Sequence, residues 1–154
     1  MRLLKKCGVI TLVFSGLMLT GSLTEASAKV VVIVNKSNPK SGIEKSVLKR
    51  IYLGKQTKWD NGEKVSRFDL PKDNKKRQEF STFFLEKSVQ DMESHWISEA
   101  VIGGKAAPEI VGSTQLVIEK VAGDPGAIGY IDEADLDGSV KQVSIMEYGF
   151  WFLD

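Results

Sequence analysis

Gly123-Asp-Pro-Gly-Ala-Ile-Gly-Tyr130 (GDPGAIGY) puts a helix stop, a tight turn and the start of an apolar strand into eight residues. Its first half ends whatever helix precedes it, because proline cannot continue a helix and glycine tolerates the backbone angles that close one. Its second half opens an apolar run through Ile131, in which Gly126 and Gly129 permit a tight start and close packing of a strand. Upstream, Ser113 or Thr114 caps a predicted helix that carries Leu116, Val117, Val121 and Ala122. Downstream, residues 140–145 read as another strand. Helix, turn and strand in that order set the pattern for the rest of the chain.

Residues 29–34, Lys-Val-Val-Val-Ile-Val, form a short β-branched run closed by an Asn-Lys-Ser-Asn-Pro turn cluster, which reads as a buried strand. A helix follows from Ser41 or Gly42, with Ile43, Val47, Leu48 and Ile51 at helical spacing until Gly54. After a loop with an Asp60-Asn61-Gly62 turn, residues 65–70 read as a second strand, closed by Pro71. From Asp73 the period changes again, and a helix places Phe80, Phe83, Phe84 and Leu85 along one side. Ser88 then caps a further helix, with Asp91 completing a capping box and Val89, Met92, Trp96 and Ile97 repeating the apolar pattern. Residues 103–108 are loop. Strands alternating with helices predict an α/β layered fold.

The amino terminus is of another kind. Arg2, Lys5 and Lys6 precede an apolar stretch over residues 8–23, and small residues follow at Ala26, Ser27 and Ala28. This is the order of a signal peptide with an A-x-A cleavage site, so residues 1–28 are expected to be removed and the mature chain to start at Lys29. Gly16, Thr20, Gly21 and Ser22 interrupt the stretch, which falls short of the ~20 apolar residues of a stable membrane anchor. Cys7, the only cysteine, lies before the stretch and not after it, where a lipoprotein's modified cysteine would sit. A periplasmic or secreted location is expected. The mature portion is near neutral in charge, which gives no basic field to recruit nucleic acid. Residues 29–154 suit one domain with its own core.

The chemistry of catalysis is thinly represented. His95 is the only histidine, and the mature portion has no thiol for a nucleophile or a metal site. Gly103-Gly104-Lys105 fails the phosphate-loop template, since Glu99 stands where the earlier glycine belongs and Ala106 follows the lysine. Glu133-x-Asp135-x-Asp137-Gly138 resembles half a calcium loop, but Ser144 occupies the twelfth position that requires a bidentate carboxylate. No metal, cofactor or enzymatic activity is expected. A binding module is the default.

Several stretches together resemble the phosphate-binding proteins of ABC transporters: Val30-Val-Val-Ile-Val-Asn35 with Ser37-Asn-Pro39, Leu48-x-x-Ile51-Tyr-Leu-Gly-Lys55 with Trp59, and the GDPGAIGY segment. The resemblance implies a single three-layer lobe of the type II periplasmic binding protein fold, a mixed sheet flanked by helices. It implies only the second of the family's two lobes. Reversible binding of phosphate or another small oxyanion follows as the expected function. The alternative is a periplasmic protein-interaction or regulatory module that keeps the lobe and has lost the ligand.

The family's anion cradle in this lobe is a Gly-Ser-Gly-Thr turn at a helix N-terminus, followed by arginine and, three residues on, phenylalanine. Superposing that pattern on Arg77 and Phe80 places Asp73-Asn74-Lys75-Lys76 over the cradle, with both glycines and both hydroxyls replaced. Two readings of Asp69-Leu-Pro-Lys-Asp-Asn-Lys-Lys-Arg77 therefore stand. In one, Asn74, Lys75 and Arg77 hold an anion, aided by Ser113 and Thr114 at the next helix start. In the other, Asp73 or Asn74 caps a helix whose basic residues face water. The closing aromatics Tyr148, Phe150, Trp151 and Phe152 either fold back on the body or form a homodimer or partner surface.

Overall fold

Five consecutive apolar residues and Asn35 make β1 (Val30–Asn35), and all six are buried. A fully buried strand needs neighbours on both edges, and β1 has them: β5 (Ala127–Asp132) and β6 (Val140–Met146) pair with it antiparallel, Val32 facing Tyr130 on one side and Val143 on the other. The computed structural model describes residues 29–147. Within them the mixed sheet runs β2-β6-β1-β5-β3-β4, with β2 (Gly42–Glu44), β3 (Ser66–Asp69) and β4 (Glu109–Ile110) completing it. β3 lies parallel to both β5 and β4, so these three strands end at the same edge of the sheet.

Successive residues of a strand face opposite ways, and β5 uses this to separate two helical layers. A Cβ on Gly129 would meet Val117 and Val121 of α4 (Thr114–Gly123), so that face belongs to α4. Tyr130, its neighbour, stacks on Phe80 of α2 (Lys75–Phe80) at 3.9 Å and lies 6.3 Å from Tyr52 of α1 (Lys45–Tyr52). Helices on both faces of one mixed sheet give the three layers expected.

Local departures from the predicted elements have local causes. The first helix begins at Lys45 and not at Ser41 or Gly42, because Gly42–Glu44 pairs with β6 as an edge strand. The helix carrying the phenylalanines is α2 for six residues and then widens into a π turn over Ser81–Leu85, which leaves Phe83 69% exposed while Phe80 and Leu85 stay buried. Ser88 caps α3 (Val89–Ile102) through the capping box with Asp91, as expected, but Ile97 faces outward. Trp59 closes over the GDPGAIGY turn, its indole N–H donating to Gly126 O at 2.9 Å.

Candidate functional site

In open α/β sheets, ligands sit beyond the carboxyl ends of parallel strands. Here that edge is formed by Asp69, Ile110 and Asp132, the last residues of β3, β4 and β5. The first turns of α2 and α4 rise from it on opposite faces. Asn74 caps α2, its side-chain oxygen accepting from Lys76 N–H at 2.8 Å, and Ser113 caps α4, accepting from Leu116 N–H at 3.2 Å. Both helices are tied back to the end of β5 and the turn that follows it. Lys76 Nζ stands 2.9 Å from Asp132 Oδ2, and Thr114 Oγ1 donates to Asp135 Oδ2 at 2.7 Å. Lys75 is exposed.

Arg77 points the other way, into the protein, and is only 4% exposed. Its Nη1 lies 2.7 Å from Asp69 Oδ2 and donates to Leu70 O at 2.7 Å. Tyr130 donates to the same carboxylate, and its hydroxyl accepts from Leu70 N–H at 3.2 Å. Burial pushes the Asp69 carboxyl up, against the opposing pull of Arg77, the Tyr130 hydroxyl and the Leu70 N–H. Burial, with the Asp69 charge beside it, lifts the Tyr130 phenol far above its ordinary range, so it acts only as a neutral hydrogen-bonding group.

Beside this cluster opens a cavity of about 710 Å³, walled by Pro71, Lys72, Asp73, Arg77, Glu93, Trp96, Ile97 and Ile110. Arg77 Nε and Trp96 Nε1, both buried in that wall, have no hydrogen-bond partner among the described residues. The edge thus offers a partly apolar cavity lined by charged side chains of both signs, Lys72 against Asp73 and Glu93.

A sequence model of the PBP superfamily domain matches residues 26–149. The chain belongs to the PBP superfamily. No curated protein sequence matches it. Among solved structures, it is similar to an ABC-type phosphate transport receptor from Vibrio cholerae, at 20% identity and a TM-score of 0.62, over 75% of this chain and 45% of that one. It is also similar to a Clostridium perfringens protein assigned as a phosphate ABC transporter substrate-binding protein and solved with bound phosphate, at 21% identity and a TM-score of 0.63, over 75% and 44% of the two chains. A third, PstS from Borrelia burgdorferi, gives 16% identity and a TM-score of 0.59, over 78% and 48%. The matched region spans less than half of each of those chains.

In this PBP-superfamily lobe the residues singled out from sequence gather at one edge but do not form one cradle. Asn74 and Thr114 spend their side-chain oxygens on the protein itself, and Arg77 is neutralised by Asp69. Sequence reasoning missed Lys72 and Trp96, which line the cavity, Asp69, which pairs with Arg77, and Tyr130, which holds Asp69. Arg67 was missed as well: it donates to Ile51 O at 3.1 Å and Ala106 O at 2.8 Å while its guanidinium lies 5.2 Å from the Trp96 ring centre. It thereby fixes the indole that walls the cavity. Among the described residues no group of histidine, cysteine and carboxylate side chains could hold a metal, and no helix is long and apolar enough to cross a membrane. The aromatics Tyr148, Phe150, Trp151 and Phe152, and residues 1–28, lie outside the described residues.

Proposed function

We propose that the chain is an exported, non-catalytic solute-binding lobe that takes phosphate or another small oxyanion reversibly at the carboxyl ends of β3, β4 and β5. The observation that carries this reading is the cavity that opens at that edge in a chain of the PBP superfamily, with Lys72 and Trp96 in its lining. Lys72 and Lys75 supply the accessible charge; Asn74, Ser113 and Thr114 present the two helix starts that flank it. Phosphate in the Clostridium perfringens relative supports the ligand class. One lobe covers a small anion on one side only, so affinity is expected to be weak unless a second protein supplies the other wall.

Trp96 makes the reading testable. Titration of the purified chain with phosphate, sulfate and acetate should change its fluorescence saturably, and Trp96→Phe should remove that change. A parallel rise in melting temperature is expected, since ligand at 100 times its dissociation constant adds ~2.7 kcal/mol. No saturable response to any of these anions at millimolar concentration overturns it. Asn74 and Thr114, bonded within the protein, and Arg77, paired with Asp69, favour the second reading in that event: a protein-interaction module on a retained lobe. Export is checked separately, by sequencing the amino terminus of the secreted protein, which should begin at Lys29.

A further inference from the structure

A groove of about 630 Å³ lies on the face that carries α1 and α2, lined by Val30, Phe83, Phe84 and Ile145 with Lys29, Lys45, Glu79 and Glu147 around them, and Phe83 is 69% exposed. Phe84 is partly buried against the core. An exposed aromatic ring next to a concave apolar lining is a surface from which water is readily displaced. Glu147, the last described residue, lines the same groove, and its carboxylate is held 2.8 Å from Lys45 Nζ at the start of α1. We propose that the segment that follows, Tyr148-Gly-Phe-Trp-Phe152, docks into this groove of its own chain, with Trp151 as its anchor.

Two observations converge on this occupant. The segment starts at the rim of the groove, and its five residues reach at most ~18 Å when extended, so no second molecule is needed to fill it. The chemistry agrees: residues 148–152 carry no charge, the apolar lining takes the rings, and Glu79, also in the lining, offers an acceptor to the indole N–H.

The single cysteine makes a contact assay simple. The full chain carrying Cys7→Ser and Thr82→Cys is labelled with bimane at position 82, the exposed neighbour of Phe83, since tryptophan quenches bimane on contact. Docking gives a loss of bimane emission that Trp151→Phe restores and that does not change on dilution; Trp59 and Trp96 are common to both proteins and cancel. Phe83→Glu should restore emission as well, without altering the segment. Equal emission with and without Trp151 overturns the proposal and leaves the groove to the leader or to another partner. Quenching that disappears on dilution also overturns it and assigns the groove to the tail of a second copy.

Discussion

Taking a guanidinium and a carboxylate out of water costs several kcal/mol per ion, and the Arg77–Asp69 pair recovers that cost only through mutual attraction and the bonds around it. With both residues nearly inaccessible, removing one strands the other. Arg77→Met is therefore expected to lower stability by about 3–5 kcal/mol in urea denaturation, whereas Lys75→Ala, on the exposed side of the same turn, stays within about 0.5 kcal/mol. Adding Asp69→Asn to Arg77→Met should recover most of the loss; equal, small effects of the two single variants would return Arg77 to the surface. Asp132 allows a pH test with a definite sign. The hydrogen bond from Lys76 and then the Ala134 N–H hold its carboxyl below the ordinary value. In that window the folded state binds fewer protons than the unfolded one, so stability rises with pH there. The contribution is full above the ordinary carboxylate range and is lost as pH falls through the depressed value. The gap in melting temperature between the native protein and Asp132→Asn should accordingly close on acidification; a gap that ignores pH would mean that Lys76 does not hold the carboxylate. The difference between the two proteins is the quantity to follow, because burial shifts Asp69 the opposite way. Part of this was readable beforehand: Asn74 as one of two candidate caps. Arg77 was read as holding an anion or facing water, and its burial corrects that, although its spacing from Phe80 and Phe84 at i, i+3 and i+7 places the three on one helical face. Its partners were not readable, because Tyr130 meets Asp69 from 61 residues away.

At the scale of elements, β5 depends on two close approaches that differ in kind. A Cβ on Gly126 would fall 2.0 Å from the Lys64 carbonyl oxygen, and the Trp59 indole holds the Gly126 carbonyl on the other side. A Cβ on Gly129 would fall 2.5 Å from a methyl group of Val117. Backbone cannot rotate away and a side chain can shift a little, so thermal denaturation should rank Gly126→Ala as the more damaging. Gly129→Ala is expected to cost about 1–3 kcal/mol, the usual range for overpacking, and Gly126→Ala more than that; the reverse order would show that the turn yields more easily than the α4 contact. Both glycines were legible in GDPGAIGY, as were β1, the Ser88 capping box and the late strand β6, since each is written in a local pattern. β2 and β4 were not. They are three and two residues long, too short to carry a period, and exist because β6 and β3 present unpaired edges beside them. The π turn that exposes Phe83 was hidden for a related reason: a helical spacing of aromatics reads the same whether the last turn is tight or wide.

For the whole molecule the decisive position is the middle of the sheet. β1 lies between β5 and β6, and β6 alone separates it from β2. Val-Val-Val-Ile-Val is uncharged, β-branched throughout and free of proline and glycine, the composition that forms intermolecular β-stacks when its edge is open. β6 covers that edge through Asn35, Val34, Ile33 and Val32. Ending the chain at Ser139 removes β6, and with it the partner of β2 and the side of the groove that contains Ile145. The remainder keeps α4 on one face and α1 with α2 on the other, but the exposed strand is the most aggregation-prone segment of the fold. Refolded at micromolar concentration, the shortened chain should form large, thioflavin-binding assemblies. Replacing Val32 and Val34 by lysine in that same truncation should suppress them, because like charges on neighbouring strands repel. Assemblies that persist in the lysine variant would place the sticky edge elsewhere, with the short outer strands β2 and β4 next in line.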